Sequence, residues 1–145
     1  MGIQLFNAGV KALIEDDRGR ILIGRKNPAE EHPIAGEWHL IGGFIDAGEQ
    51  VAECIEREVM EETGYAVRVG KAFHMAVFKR PKNQPAHFDK EPILFVFCLC
   101  RLAGGSPLPA DDVSELRWVS PRNAMRLMPR EIEKNAVRKY LRVMR

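Results

Sequence analysis

Glu58, Glu61 and Glu62 stand at i, i+3 and i+4. On an α-helix each residue turns the chain by about 100°, so this spacing puts all three carboxylates on one face. Like charges so placed repel and weaken the helix that carries them. Arg57 is the one basic residue within the segment, directly beside the cluster. The simplest physical compensation is a divalent cation, and carboxylate oxygens without thiolates suit Mg²⁺ or Mn²⁺. A solvated acidic helix face is the plainer alternative, and on the glutamates alone both stay open.

The flanking residues say what must hold such a cluster. Gln50 to Thr63 reads as a helix, with Val51, Ala52, Ile55 and Val59 on one apolar stripe and Gly64 as its stop. A strand from Trp38 to Ile41 ends at Gly42-Gly43, and Gly48 precedes the helix. A strand, a Gly-rich loop and an acidic helix in succession can offer backbone groups and carboxylates to one ion. An ion that shares itself with phosphate oxygens suits water attack on a diphosphate.

The remaining chain supplies a sheet and two covering layers. Phe6–Glu15 and Arg20–Arg25 flank an Asp17-Arg18-Gly19 turn and read as a hairpin. The Pro- and Gly-bearing stretch from Lys26 to Glu37 reads as a loop beside the chemistry, a candidate substrate loop or a plain connector. Strands follow at Val67–Lys79 and Pro92–Leu102. In the second, Ile93, Phe95, Phe97 and Leu99 alternate with Leu94, Val96, Cys98 and Cys100, so both faces are apolar and the strand is expected at the centre. Leu102–Ala110 reads as a loop and Leu116–Val119 as a short strand. Ser120-Pro121 opens a helix, and Glu131–Met144 is amphipathic with Lys134, Arg138, Lys139 and Arg142 on its polar side. Strands mixed with helices in this order predict a helix–sheet–helix sandwich of class α/β.

Composition sets the outer limits. The chain has 145 residues, 46% of them hydrophobic, which predicts one globular domain over 1–145. A formal charge of +2 argues against nucleic-acid binding through bulk charge. No apolar run is long enough to cross a membrane as a helix. Met1 to Val10 lacks the pattern of an export signal, and three cysteines is an odd number, so a reduced, cytoplasmic protein is expected.

The segment Gly43–Tyr65 resembles the Nudix box, G-x5-E-x7-R-E-U-x-E-E-x-G-U with U bulky and apolar. Gly43 matches the first glycine, Glu49 the first glutamate and Arg57-Glu58 the R-E pair. Val59, Glu61-Glu62, Gly64 and Tyr65 complete it. Ile21–Arg25, Gly36-Glu37-Trp38 and Glu115–Val119 are similar to flanking stretches of the same family, so the likeness covers most of the chain. One departure is Ile41-Gly42-Gly43, where the family usually has Pro-Gly-Gly.

The resemblance implies a Nudix-type α/β/α sandwich around a mixed β-sheet, and hydrolysis of a nucleoside diphosphate joined to a further group, with Mg²⁺ or Mn²⁺. It implies Glu58, Glu61 and Glu62 as metal ligands and a backbone carbonyl at Gly43 as a further one. Arg57 would orient a catalytic carboxylate, Gly42 and Gly64 would hold the loop–helix geometry, and Glu49 would brace it or contact the metal indirectly. For the general base it leaves Glu61 or Glu62 ahead of Asp112 and Glu115, acids near the later strand. Arg25 and Trp38 are candidate substrate contacts. Pro81 lies 16 residues past the box, an offset that the family associates with ADP-ribose. ADP-ribose or a nucleotide sugar and a (d)NTP both remain as substrates.

A nucleotide-sensing module on the same fold is the alternative, but such domains tend to lose box carboxylates and this chain keeps them. An isoprenyl-diphosphate isomerase would need a cysteine within Glu37–Ile41, which is absent. An mRNA-decapping enzyme stays open, although neither an extra domain nor a strong basic surface supports it. Met75, Val77 and Phe78 leave a homodimer open.

Overall fold

A computed structural model describes residues 2–32, 34–79 and 92–144. The hairpin forms as the sequence implies: β1 (Asn7–Glu15) turns into β2 (Ile21–Lys26) with Glu15 opposite Ile21. Asp16 Oδ1 fixes the turn by accepting the backbone N–H groups of Arg18 and Arg20, each at 2.9 Å.

The stretch expected as one strand from Trp38 to Ile41 is two. Trp38–His39 (β3) pairs with β2, while Ile41–Phe44 (β4) pairs antiparallel with β1, from Ala12↔Ile41 to Gly9↔Phe44. The strand therefore does not end at the glycines but runs through them. Leu40 is the switch point between the two neighbours. Its N–H donates to Glu133 Oε2 at 2.5 Å, and its carbonyl lies 3.2 Å from Lys11 Nζ and 2.8 Å from His39 Nδ1. A Cβ at Gly42 would sit 2.0 Å from the Val10 carbonyl oxygen, so a side chain there is incompatible with the β1–β4 pairing.

Helix α1 (Val51–Thr63) begins one residue later than expected, with Gln50 as its N-cap and the Gln50 N–H donating to Glu53 Oε1 at 3.1 Å. Gly64 ends it at φ 75°, with its N–H on the Met60 carbonyl at 3.1 Å. The apolar stripe differs from expectation at one place: Ala52 is exposed and Cys54 is buried, its Sγ 3.4 Å from the Phe44 carbonyl oxygen.

Strand β5 (Tyr65–Phe78) pairs antiparallel with β6 (Ile93–Gly105), so β6 continues past Leu102 into residues expected as loop. Along β6, Cys98 and Cys100 join the cluster under α1, while Phe97 joins the cluster on the opposite face. β1 and β6 pair in parallel from Asn7↔Ile93 to Glu15↔Arg101. Strand β7 (Val113–Val119) adds to β2, followed by α2 (Pro121–Leu127), capped by Ser120 Oγ, and α3 (Glu131–Val143). The sheet path is β3-β2-β1-β6-β5, with β4 joined to β1 and β7 to β2.

The mixed sheet is thus covered on both sides. Val10, Ala12, Ile14 and Leu22 meet Ile55 and Val59 of α1. Leu13, Ile21, Ile23 and Phe97 meet Ala136, Val137 and Tyr140 of α3. Each buried aliphatic side chain here contributes about 1.5–3 kcal/mol of burial. Met75 and Val77 stand exposed on the edge strand β5. No helix among the described residues is long and apolar enough to cross a membrane.

Candidate active site

Arg57 is the hub of the acidic cluster. Its Nε and Nη2 form a fork on Glu49, at 2.7 Å to Oε2 and 3.0 Å to Oε1. Nη1 donates to Glu58 Oε1 at 2.9 Å and to Glu61 Oε2 at 3.3 Å. Nη2 also reaches the Phe44 carbonyl at 3.2 Å, and Asp46 Oδ2 lies 3.4 Å away. One planar cation therefore ties α1 to the end of β4 and to the loop between them. Its hydrogen bonds pull the Glu49 carboxyl down to about 2, and the same contacts raise the guanidinium above its ordinary value.

Glu58 and Glu62, one turn apart, meet each other on the inner side. Burial pushes the Glu62 carboxyl up, and its hydrogen bond with the Glu58 carboxylate pushes it further. Burial raises the Glu58 carboxyl as well. Glu62 Oε2 is buried and has no hydrogen-bond partner among the described residues. Gly43 lies directly against Glu58: a Cβ there would stand 2.4 Å from the Glu58 carboxyl carbon. Glycine is what allows β4 to pass this close to the carboxylate. Glu61 is the outermost of the three, half-exposed and on Arg57. As the side chains stand, no three His, Cys, Asp or Glu among the described residues converge into a cation cage.

The donor set nonetheless fits a hard divalent cation. Burial raises both carboxyls, and the buried Glu62 has an orphaned oxygen, an arrangement that is stable only when a proton or a cation neutralises it. A cation would take the place of that proton and supply the missing partner.

The C-terminal end of α1 holds the second part of the site. The N–H groups of Leu108 and Ala110 donate to the carbonyls of Thr63 and Glu62, at 2.8 and 3.1 Å. These bonds satisfy helix carbonyls that have no partner within the helix. They also lay the 106–112 loop along the helix end, and a Cβ at Gly64 would meet the Ser106 carbonyl oxygen at 2.4 Å. The loop delivers Asp112, close enough for its charge to act on Glu62. Burial raises the Asp112 carboxyl, but its ion pair with Lys26 outweighs that and holds it below the ordinary value.

Glu115 stands elsewhere. It is partner to Arg25 across β2–β7, with 3.5 Å between Arg25 Nη1 and Glu115 Oε1, and Arg117 Nη2 is 3.3 Å from its other oxygen. Its neighbour Leu116 packs into the cluster under α1, so by strand alternation Glu115 faces the other way. Trp38 pairs with Arg25 and carries the Arg117 guanidinium 4.7 Å over its ring. Arg25 Nε donates to the Gly36 carbonyl at 3.0 Å. Pro81 lies outside the described residues.

Sequence reasoning passed over three side chains that the fold brings to this region. Lys26, on β2, neutralises Asp112. Lys11, on β1, lies 3.7 Å from the buried Glu133 of α3 and supports the Leu40 carbonyl. His39 is buried, with Nδ1 on the Leu40 carbonyl oxygen and Nε2 without a partner among the described residues. Burial, followed by the Lys11 charge, pulls its pKa down to about 3, so it is neutral near pH 7. A polar residue interrupting an apolar strand was the available signal for Lys11.

Residues 5–141 match the NUDIX domain. The chain belongs to the Nudix family. Among curated relatives, an ADP-ribose pyrophosphatase of Methanocaldococcus jannaschii is 30% identical over 118 residues, which are 81% of this chain and 64% of that protein. A putative 8-oxo-dGTP diphosphatase of Bacillus subtilis is 28% identical over 118 residues, 81% of this chain and 68% of that one. The crystal structure of a MutT protein from Methanosarcina mazei Go1 superposes with a TM-score of 0.80. It is 20% identical and covers 100% of this chain and 99% of that one. That likeness shows the fold, and the Nudix box falls on the Gly43–Tyr65 segment, which carries Arg57, Glu58 and Glu62.

Proposed function

We propose that this Nudix chain is a pyrophosphohydrolase that cleaves the diphosphate linkage of a nucleoside diphosphate derivative, with Mg²⁺ or Mn²⁺. The observation that carries this reading is the Glu58–Glu62 pair, in which Glu58 lies against Gly43 and is braced by Arg57 and the buried Glu62 has one orphaned carboxylate oxygen. Glu58, Glu61 and Glu62 would hold the cation, with the Gly43 backbone as a further donor. When bound, the cation would acidify water and offset charge on the phosphoryl oxygens.

The residues of the chain do the rest. Arg57 holds Glu49, Glu58 and Glu61 in one arrangement, so that substrate meets carboxylates already placed. Glu61 or Glu62 takes the proton of the attacking water; Asp112 is the next candidate, because its charge is felt at Glu62 and Lys26 holds its carboxyl below the ordinary value. Arg25 and Trp38 stand with Glu115 on the sheet face away from the acidic cluster and carry no role in this reading. The names of the two relatives favour ADP-ribose and a (d)NTP as the first substrates to try.

The test is product analysis with ADP-ribose, nucleotide sugars, dinucleoside polyphosphates and (d)NTPs, with Mg²⁺, Mn²⁺ or EDTA. Metal-dependent release of a nucleoside monophosphate, lost in Glu61→Gln and Glu62→Gln, is the expected result. Tight binding without cleavage of any of these compounds would replace the hydrolase with a sensing module.

A further inference from the structure

The basic side of α3 faces a groove that the hydrolase reading does not use. Between β5 and α3 lies a cavity of about 400 Å³, lined by His74, Ala76, Ile132, Asn135, Arg138 and Arg142. That volume lies in the range of small-ligand sites. It lies with α3 on the sheet face opposite α1, and it shares no residue with the acidic cluster.

The lining is chemically one-sided. Ala76 and Ile132 are apolar, and every charged side chain in the wall is a cation. Arg138 is oriented along the helix by Asn135 Oδ1 at 2.6 Å and by Glu131 Oε2 at 3.2 Å, and Glu131 itself does not line the cavity. Both contacts use Nη1, so most of the five guanidinium donors are left for a ligand. With Oδ1 engaged, Asn135 presents its NH₂ group as a donor. Arg142 makes no ion pair among the described residues. Two guanidinium forks above an apolar floor can each engage two oxygens of a phosphate joined to a less polar body.

We propose that this groove is a second ligand site, which binds the phosphate of a nucleotide-sized molecule through Arg138, Arg142 and Asn135, with the sugar or base over Ala76 and Ile132. The local potential agrees. Burial, then the charges of Lys139 and Arg142 on α3, hold the His74 imidazole below its ordinary value, while its other close neighbour, Phe97 on β6, carries no charge. An anion in the groove would reverse part of that shift.

The experiment is an amide and imidazole NMR titration of the full chain in EDTA, with inorganic pyrophosphate and AMP as probes. Expected are shifts centred on His74, Ala76 and residues 135–142, and an upward move of the His74 pKa. Arg138→Gln and Arg142→Gln should each weaken AMP binding by about tenfold or more. Lys134→Gln, on the same helix but outside the lining, should leave it unchanged. Shifts confined to α1 and β4, or equal weakening by Lys134→Gln, would overturn the site. Tighter binding of single-stranded RNA than of AMP on the same footprint would overturn the ligand class. Each single arginine variant is scored only on its own folded spectrum, and either one suffices.

Discussion

Arg57 does more for this site than its charge. A guanidinium can fork onto Glu49 while its other edge serves Glu58 and Glu61, and an ammonium cannot. Arg57→Lys is therefore expected to lower turnover by about 10- to 100-fold, as losses in a supporting shell do, while the fold persists by circular dichroism. Glu49 gives a pH signature. Its carboxyl is held at about 2, below an unfolded value of 4.5, so its stabilising effect is whole above 4.5 and is lost as pH falls through about 2. Glu49→Gln should lower Tm at pH 7, and the melting curves of variant and parent should converge near pH 2. Glu62 behaves differently. It is buried and its carboxyl is pushed well up, which favours the neutral form, so Glu62→Gln is expected to melt within about 1 kcal/mol of the parent in EDTA. Added Mg²⁺ should raise the parent's Tm and leave the variant's unmoved.

At the scale of elements, β4 shows what glycine permits. Gly42 and Gly43 stand on successive positions of one strand and face opposite obstacles, the Val10 carbonyl and the Glu58 carboxylate. Gly42→Ala has backbone in its way, which cannot swing aside, and is expected to cost about 3 kcal/mol or more in urea unfolding. Gly43→Ala meets a side chain and should cost less stability but more activity. The acidic helix, its glycine stop and the two-faced β6 were legible because period and composition carry them. The split at Leu40 was not legible, because it depends on which neighbour each half pairs with, and Glu133 and Lys11 lie 93 and 29 residues away from it. Sequence proximity groups Glu115 with Asp112, yet Asp112 lies in the turn before β7 while Glu115 lies within the strand, on the face away from Leu116.

At the scale of the molecule, Lys11 and Glu133 link the β1 core to α3. Removing one partner strands the other charge in a buried place. Lys11→Met is expected to cost about 3 kcal/mol. Lys11→Met with Glu133→Gln should recover part of that loss, because glutamine still accepts the Leu40 N–H, and a double-mutant cycle by chemical unfolding measures the coupling. The docked 106–112 loop has its own consequence. Its amides close the last carbonyls of α1, so the helix end cannot fray while the loop stays in place, and the loop cannot lift without uncapping the helix. The two open as one cooperative unit. Leu108 and Ala110, though they sit in a surface loop, should then exchange their amide hydrogens as slowly as the final turn of the helix, and Asp112 keeps its station for as long as that turn lasts.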